Sequence, residues 1–182
     1  MIKENYAVVL DYLPQGYPGS TRRQPVVLAI GEEKFTLLEL VPKPNVQISI
    51  RETTYIGPEK RDKILYIKRT LKYDELTTNA KNELLPVVEE IVKKHEQKFV
   101  DFINNAGPIT IRQHTLEMLP GIGKKHLEDI LREREKAPFL SFKDMTDRIP
   151  LLQNPVKIFA NRIIEELKGE TKYCFFVRRS EQ

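Results

Sequence analysis

Short apolar runs alternate with turn-forming residues over the first third of the chain. Val46, Ile48 and Ile50 show the pattern well, because they alternate with polar residues as in a strand with one buried face. The runs that predict strands cover residues 6–13, 25–30, 35–41, 46–50, 53–56 and 64–68.

Five or six short strands without a helix between them favour a closed β-barrel over residues 1–72. An open sheet would expose the backbone of its edge strands, whereas a small barrel of the OB type, or a similar one, pairs them. Gly31, Glu32 and Glu33 are expected to form the hairpin turn between the second and third strands.

Residues 73–106 repeat apolar side chains at helical spacing and predict a helical connector. Asp74 or Thr77 could cap its first turn. Pro86 is expected to kink this helix or to begin a second one, and His95 is expected to lie on a helix face.

Residues 107–170 predict two pairs of short helices in tandem. Thr110 and Gln113 have the spacing of a capping box at the start of the first helix, and Pro120 stops that helix. Ser141 is expected to cap the third helix, and Pro155 to begin the fourth.

The chain ends with a terminal segment, residues 171–182. Within it, residues 173–178 predict a final strand, after Gly169 has ended the last helix. We expect this strand to pair with the barrel or to pack on the connector. The predicted fold class is therefore an α+β protein of several domains: a barrel, a connector, a helical domain and a final strand.

The composition of the 182 residues, 40% hydrophobic and 31% charged, is typical of a folded soluble protein. No apolar run approaches the length of a membrane span, and residues 1–5 lack the apolar core of a signal peptide. We therefore expect a cytoplasmic protein that does not bind membranes. Cys174 is the only cysteine and the three histidines lie far apart in sequence, so neither a metal site nor a cofactor is expected.

The net charge of +4 is distributed unevenly along the chain. Residues 1–72 carry a net charge of +4, residues 73–106 carry −3, and residues 107–182 carry +3. Two basic segments therefore flank an acidic connector, which favours a polyanionic partner for the two ends of the chain.

The strongest candidate site lies in the turn that follows Pro120. Two glycines let the backbone turn and approach a ligand closely, and the helix that starts after them points free N–H groups outward. That end of a helix attracts anions, and two lysines strengthen the attraction. We interpret the set as a phosphate-binding site: Gly121, Ile122, Gly123, Lys124 and Lys125. The alternative is a tight turn whose glycines only allow the helices to pack closely.

A second group of basic and aromatic residues lies in the loops of the predicted barrel. Small barrels often bind single-stranded nucleic acid through such residues. The candidates for a second contact are Arg22, Arg23, Tyr55, Lys60, Arg61 and Lys63. The alternative is that the tyrosine belongs to the barrel wall and that the charges only keep the loops solvated.

The segment LEMLPGIGKKHLEDILRER, followed by FLSFKDM, resembles a tandem helix-hairpin-helix domain of the kind found in Holliday-junction-binding proteins and competence DNA receptors. In that family the backbone amides of the hairpin hold a phosphate without reading sequence. The resemblance implies this role for Gly121, Gly123, Lys124 and Lys125, with Ile122 as an apolar wedge between the helices.

Nearly the whole chain also resembles an uncharacterised archaeal family, predicted to bind nucleic acid, that joins an OB-like barrel to this helical domain. The segments that carry the similarity, besides the hairpin, are VLDYLP, FTLLELV, YIGPEKRDKI, YDELT and PIT. The resemblance implies the same architecture for this chain.

The sequence thus predicts a protein without catalytic activity that binds RNA or DNA largely independently of sequence. One alternative is a repair enzyme of the glycosylase or lyase type, with Asp144 or Asp147 as its catalytic carboxylate. Another is a scaffold for protein interactions that docks through the acidic connector.

Overall fold

The computed structural model describes residues 3–178 as five strands, five α-helices and two 3₁₀ turns. The strands are β1 (Tyr6–Leu13), β2 (Val26–Gly31), β3 (Leu37–Pro42), β4 (Thr53–Tyr55) and β5 (Ile64–Thr70). The 3₁₀ turns cover Tyr73–Glu75 and Thr115–Met118. The helices are α1 (Thr78–Lys94), α2 (Glu96–Asn105), α3 (Lys124–Lys136), α4 (Phe142–Arg148) and α5 (Pro155–Leu167). The protein is therefore of the α+β class.

The chain divides into two compact units. The first, here called the sheet unit, contains the residues up to Val87 together with those from Ile163 onward, and the second, the helical unit, is Val88–Arg162. The four segments predicted from the sequence have other limits, so their boundaries stay a prediction. No helix between residues 3 and 178 is both long enough and apolar enough to cross a membrane.

The sheet unit contains a curled antiparallel half-barrel with the strand order β4-β1-β2-β3-β5. The predicted hairpin between β2 and β3 is present, but Gly31 is the last residue of β2, and the turn covers residues 32–34, one residue later than predicted. The predicted closure is absent between the described strands, because β4 and β5 pair only with β1 and β3 and stand at opposite edges.

The predicted strand at 46–50 is wrong, because this segment forms a loop. Asn45 and Arg51, at its two ends, adopt left-handed conformations with φ of 61° and 69°, which turn the chain out of the extended direction. Ile48 is still buried against the sheet, whereas Ile50 is 43% exposed. The alternating pattern thus reflects partial burial of a loop and no strand pairing.

Both faces of the sheet are largely buried at its three central strands, β1, β2 and β3. Alternate residues of the strands form one cluster with Ile48 and Ile56: Ala7, Val9, Val27, Ala29, Leu38, Leu40 and Ile64. The opposite face carries Asp11, whose carboxylate accepts a hydrogen bond from the Thr77 hydroxyl at 2.6 Å. Thr77 also caps α1 by accepting from the N–H of Ala80 at 3.1 Å, as the sequence predicts.

α1 continues through Pro86, so this proline does not begin a new helix, and the break between α1 and α2 falls at His95. The buried residues Leu84, Val87 and Val88 continue the apolar stripe across the proline, so packing holds the helix together where one backbone hydrogen bond is missing. His95 has φ −108° and ψ 34° and occupies the N-cap position of α2, so the expectation that it lies on a helix face is wrong.

The helical unit packs around Phe159 of α5, which is 1% exposed. The ring centroids of Phe99, Phe142 and Phe102 lie 4.9, 5.9 and 6.1 Å from its own. Each of these rings comes from a helix, α2 or α4, so the aromatic cluster joins three helices of this unit.

Two helix starts in this unit confirm the predictions, and one differs. The Ser141 hydroxyl accepts from the N–H of Asp144 at 2.9 Å, and α5 begins at Pro155. Thr110 and Gln113 do not cap a helix, because the Thr110 hydroxyl accepts from the N–H of Arg112 and closes a tight turn.

The first helix of the predicted hairpin is a 3₁₀ turn of four residues, Thr115–Met118. Its cap is His114, whose Nδ1 accepts from the N–H of Leu116 at 3.1 Å, while Glu117 accepts from the N–H of His114 at 3.0 Å. The capping box thus lies four residues further along the chain than the sequence predicts.

The predicted final strand does not form within the described residues. The N–H groups of Phe176 and Val177 donate to the Glu166 carboxylate at 3.0 and 3.3 Å, so a side chain takes the place of a partner strand. Arg178 donates its N–H to the carbonyl of Lys34 at 3.2 Å. The segment does return to the sheet unit. Positions 1, 2 and 179–182 of the predicted barrel and terminal segment lie outside the described residues.

Candidate functional site

The turn after Pro120 is shaped by Gly121. Its φ is 90°, a conformation that residues with a Cβ rarely adopt. A Cβ at this position would also lie 2.8 Å from Oε1 of Gln153, which belongs to the turn before α5. Ile122 follows and is 6% exposed, with its N–H donated to the carbonyl of Leu119 at 3.2 Å. Gly121 and Ile122 therefore build the turn, and Ile122 lies in the interior as a wedge would.

The next residue, Gly123, is the N-cap of α3, with φ −91° and ψ −174°. It has no side chain to accept hydrogen bonds from the first N–H groups of the helix, and a Cβ there would meet no atom within 4 Å. The space beside the start of α3 is thus open, and the amides of the first helical turn have no intrahelical partner.

Lys124 and Lys125 are exposed in the first turn of α3. Within the described part of the chain neither of them takes part in an ion pair. The positive end of the helix dipole, the uncapped amides and two ammonium groups therefore coincide, and together they can bind a phosphate or another anion.

His126 supports this turn in a way that the sequence did not indicate. Its Nδ1 lies 3.2 Å from the carbonyl oxygen of Gly121, to which a ring N–H can donate. The sequence shows a histidine five residues after the first glycine, but its contact with the turn could not be predicted without knowing where α3 begins.

The turn before α5 differs from the turn before α3 in how the first N–H groups of the helix are bonded. Asn154 accepts from the N–H of Val156 with its side chain at 3.0 Å and from the N–H of Lys157 with its carbonyl at 3.0 Å. The start of α5 is therefore capped by the chain itself.

The candidates in the sheet unit fall into two groups. Arg22, Arg23 and Lys60 are exposed. Arg61 donates to the carbonyl of Gly57 at 2.8 Å, and Lys63 donates to the carbonyl of Gln47 and the carboxylate of Glu52, both at 2.8 Å. Arg61 and Lys63 therefore stabilise loops, and the exposed cations among the candidates are Arg22, Arg23 and Lys60.

Tyr55 packs its ring edge-to-face on Tyr6, with centroids 5.3 Å apart, and its hydroxyl accepts from the N–H of Glu59 at 3.1 Å. The sheet register also separates it from the arginine loop. Tyr55 pairs with Tyr6 at the beginning of β1, whereas the loop follows Leu13 at the other end, roughly 20 Å away along the strand. The six candidates thus do not form one surface patch.

The loop that carries the two arginines is anchored on the sheet. Gln24 donates to the Tyr66 hydroxyl at 3.0 Å. Tyr17 lies beside buried Glu39, and burial together with the Glu39 carboxylate raises the pKa of Tyr17 to about 12. Arg69 binds the same carboxylate at 2.6 Å. The loop is therefore held at its base, with Arg22 and Arg23 outside.

No group of three His, Cys, Asp or Glu side chains that could hold a metal ion occurs among residues 3–178. The acidic residues considered for catalysis are engaged in ion pairs. Asp144 contacts Arg148 at 3.2 Å and accepts from the N–H of Leu140 at 3.0 Å, while Asp147 binds Lys143 at 2.7 Å.

Comparison with known proteins gives three matches over almost the whole chain. A family model described as "Protein of unknown function (DUF655)" matches residues 3–178. A protein of Methanocaldococcus jannaschii described as uncharacterized is 52% identical over 177 residues, which are 96% of this chain and 80% of that protein. The crystal structure of Af1531 from Archaeoglobus fulgidus has a TM-score of 0.90 at 44% identity and covers 96% of this chain and 100% of its own.

Proposed function

The chain belongs to this family of archaeal proteins, DUF655, and we propose that it binds RNA or DNA without catalysing a reaction on it and largely independently of sequence. The single observation that carries the proposal is the open start of α3. There, amides without a side-chain cap, a glycine with free space beside it and two exposed lysines, which form no ion pair among residues 3–178, lie within one turn of helix.

This arrangement suits the phosphate backbone better than it suits bases. Backbone amides and lysines fix a phosphate oxygen but do not distinguish one base from another. The turn, with Ile122 buried between the flanking elements, has the features of a helix-hairpin-helix motif whose first helix is reduced to a 3₁₀ turn. We therefore assign the phosphate contact to Gly121, Gly123, Lys124 and Lys125.

A single phosphate contact gives weak binding, so the proposal includes a second contact in the OB-like half-barrel. Arg22 and Arg23 supply it, since their loop is anchored at its base and both side chains are exposed. Lys60 adds charge on another loop. The two contacts lie in different units, and a strand that engages both would bind more tightly than through either one alone.

The alternative of a repair enzyme is less well supported. A catalytic carboxylate must reach its substrate, but Asp144 is bound by Arg148 and accepts the N–H of Leu140, and Asp147 lies on the surface in an ion pair with Lys143. The proposal accordingly includes no catalytic residue, no metal and no cofactor, and it expects a cytoplasmic protein.

The test is binding to labelled single strands and duplexes of RNA and DNA at two salt concentrations, measured by fluorescence anisotropy. Replacing both Lys124 and Lys125 by Glu is expected to weaken binding to all of them and to reduce the salt slope by roughly two. Lys157→Glu is the control, because Lys157 is an exposed lysine of α5 that forms no ion pair among the described residues. Unchanged affinity and slope in the double variant would exclude this turn as the contact.

A further inference from the structure

A cleft with a volume of about 860 Å³ lies within the sheet unit, away from the half-barrel loops considered above. Residues 35–37, 70–74, 166–169 and 177–178 surround it. We call it the terminal cleft, because the end of α5 and the last described residues form one side of it. A cleft of this size can hold a ligand as large as a nucleotide.

One wall of the terminal cleft is held by Glu4, which is 4% exposed. Its carboxylate accepts from the N–H groups of Glu33 and Lys34, each at 2.8 Å, and from the N–H and hydroxyl of Thr36 at 3.3 and 3.0 Å. These bonds fix the turn between β2 and β3, including Phe35 with its left-handed φ of 53°. This wall is therefore formed before any ligand arrives.

The opposite wall is held by Glu166, also 4% exposed. Its carboxylate accepts from the N–H groups of Phe176 and Val177, and the N–H of Arg178 binds the carbonyl of Lys34. Both buried carboxylates thus accept hydrogen bonds from backbone amides.

Cations and carboxylates both line the cleft: Lys72, Lys168 and Arg178, with Asp74 and Glu166. The ammonium groups of Lys81 and Lys168 lie 5.0 and 5.5 Å from the centroid of the Tyr73 ring. None of these three lysines forms an ion pair among residues 3–178, although the Glu75 carboxylate lies near Lys72 and accepts its N–H at 2.7 Å.

Lys72 and Lys168 are exposed, and exposed ammonium groups attract an anionic ligand. Half-buried apolar surface lies beside these cations, supplied by Tyr73, Leu167 and Val177. A ligand that joins a phosphate to a flat, partly apolar group matches both features.

We propose that the terminal cleft binds a 5′-phosphorylated nucleoside, with the phosphate on Lys72 and Lys168 and the nucleoside against Tyr73, Leu167 and Val177. The ligand is either a free nucleotide or the phosphorylated end of a strand, since both present the same group. This site belongs to the sheet unit and is separate from the turn before α3.

The test uses the full chain and isothermal titration calorimetry at low salt, with 5′-AMP, adenosine and inorganic phosphate as probes. We expect 5′-AMP to bind at least about tenfold more tightly than the other two, because only 5′-AMP engages both parts of the cleft. Lys72→Gln/Lys168→Gln should weaken 5′-AMP binding by roughly tenfold or more. Lys157→Gln should leave it unchanged, as this lysine is exposed on α5 but outside the cleft.

Tyr73→Leu provides an independent variant, since it is expected to weaken 5′-AMP and leave inorganic phosphate unaffected. Short strands with a 5′-phosphate or a 5′-hydroxyl then separate the two sources. A preference for the phosphorylated strand over 5′-AMP identifies a strand end, and the reverse identifies a free nucleotide.

Three results would overturn the proposal: no saturable binding of any 5′-phosphorylated probe, equal affinity for 5′-AMP and inorganic phosphate, or equal losses in the cleft variant and in Lys157→Gln. The Lys124→Glu/Lys125→Glu variant should keep its affinity for 5′-AMP. A failure of the turn before α3 as a nucleic-acid contact would therefore be distinguished from a failure of the terminal cleft.

Discussion

Gly121 and Gln153 touch across the two turns of the helical unit. A Cβ built on Gly121 would lie 2.8 Å from Oε1 of Gln153, and the Gly121 backbone has a φ of 90°. The turn that presents Gly123 and the lysines thus rests directly on the turn that starts α5. The shape of the first turn therefore depends on a residue that lies 32 positions further along the sequence.

We predict that Gly121→Ala lowers the free energy of unfolding by about 1–2 kcal/mol, the usual cost of a left-handed conformation for a residue with a Cβ. Urea denaturation measures the change. Adding Gln153→Ala to this variant removes the side chain that the new methyl group would meet. Any stability that the double variant regains measures how much of the loss came from this steric clash. A loss below about 0.5 kcal/mol, the range of ordinary surface substitutions, would contradict the prediction.

The His114 cap makes stability depend on pH. Burial, together with the positive charge of Arg134, holds the pKa of His114 below its ordinary value of 6.5. The folded chain then binds this proton less readily than the unfolded chain does. Its contribution to stability is complete above pH 6.5 and is lost as the pH falls through the lower, folded-state pKa.

We therefore predict that the protein loses stability between pH 7 and pH 5, because a protonated His114 cannot accept the N–H of Leu116 with Nδ1. Thermal unfolding across this range is the measurement. His114→Asn is the control, since Asn can cap the turn without titrating. Equal pH dependence of both proteins would show that another group is responsible.

The terminal segment is predicted to contribute to stability although it forms no strand. Phe176 is 6% exposed, and burial of a side chain of this size stabilises by about 1.5–3 kcal/mol. Truncation after Lys168 should lower the melting temperature, and Phe176→Ala in the full chain should reproduce most of the loss. An unchanged melting temperature after truncation would refute this role.

The strands and helices that could be predicted from the sequence are mostly those whose position is decided by the local pattern of residues. β1, the Ser141 cap and the start of α5 at Pro155 each depend on residues within a few positions of one another. The errors occur where distant contacts decide. The loop at 46–50 follows from left-handed backbone at Asn45 and Arg51, neither of which is glycine.

The candidate site divides in the same way. The turn at Gly121 and the exposed lysines are local features and could be predicted. The open space beside Gly123 could not be predicted, because it depends on how the rest of the chain packs around the start of α3. Arg61 and Lys63 were grouped with Arg22 by their charge alone, but their loop contacts, with Gly57 and Glu52, depend on how β4 and β5 are placed.

The open start of α3 leads to a prediction in which stability and binding change in opposite directions. Gly123 already has the extended backbone of an N-cap residue, and a Cβ there meets nothing within 4 Å. In Gly123→Ser, the hydroxyl can accept from the N–H groups of the first helical turn, as Ser141 does for α4. The free energy of unfolding should stay the same or rise by a few tenths of a kcal/mol.

Affinity for nucleic acid should nevertheless fall in Gly123→Ser, because the hydroxyl occupies the amides and the space that the proposed phosphate needs. Anisotropy titrations beside urea denaturation test both halves, and Ser141→Ala is the matched control. That variant loses a cap, so its stability should fall by about 1 kcal/mol while its affinity stays unchanged. If Gly123→Ser bound nucleic acid as tightly as the unchanged chain, the amides of α3 would not be the phosphate contact, and Lys124 and Lys125 would have to act through their charge alone.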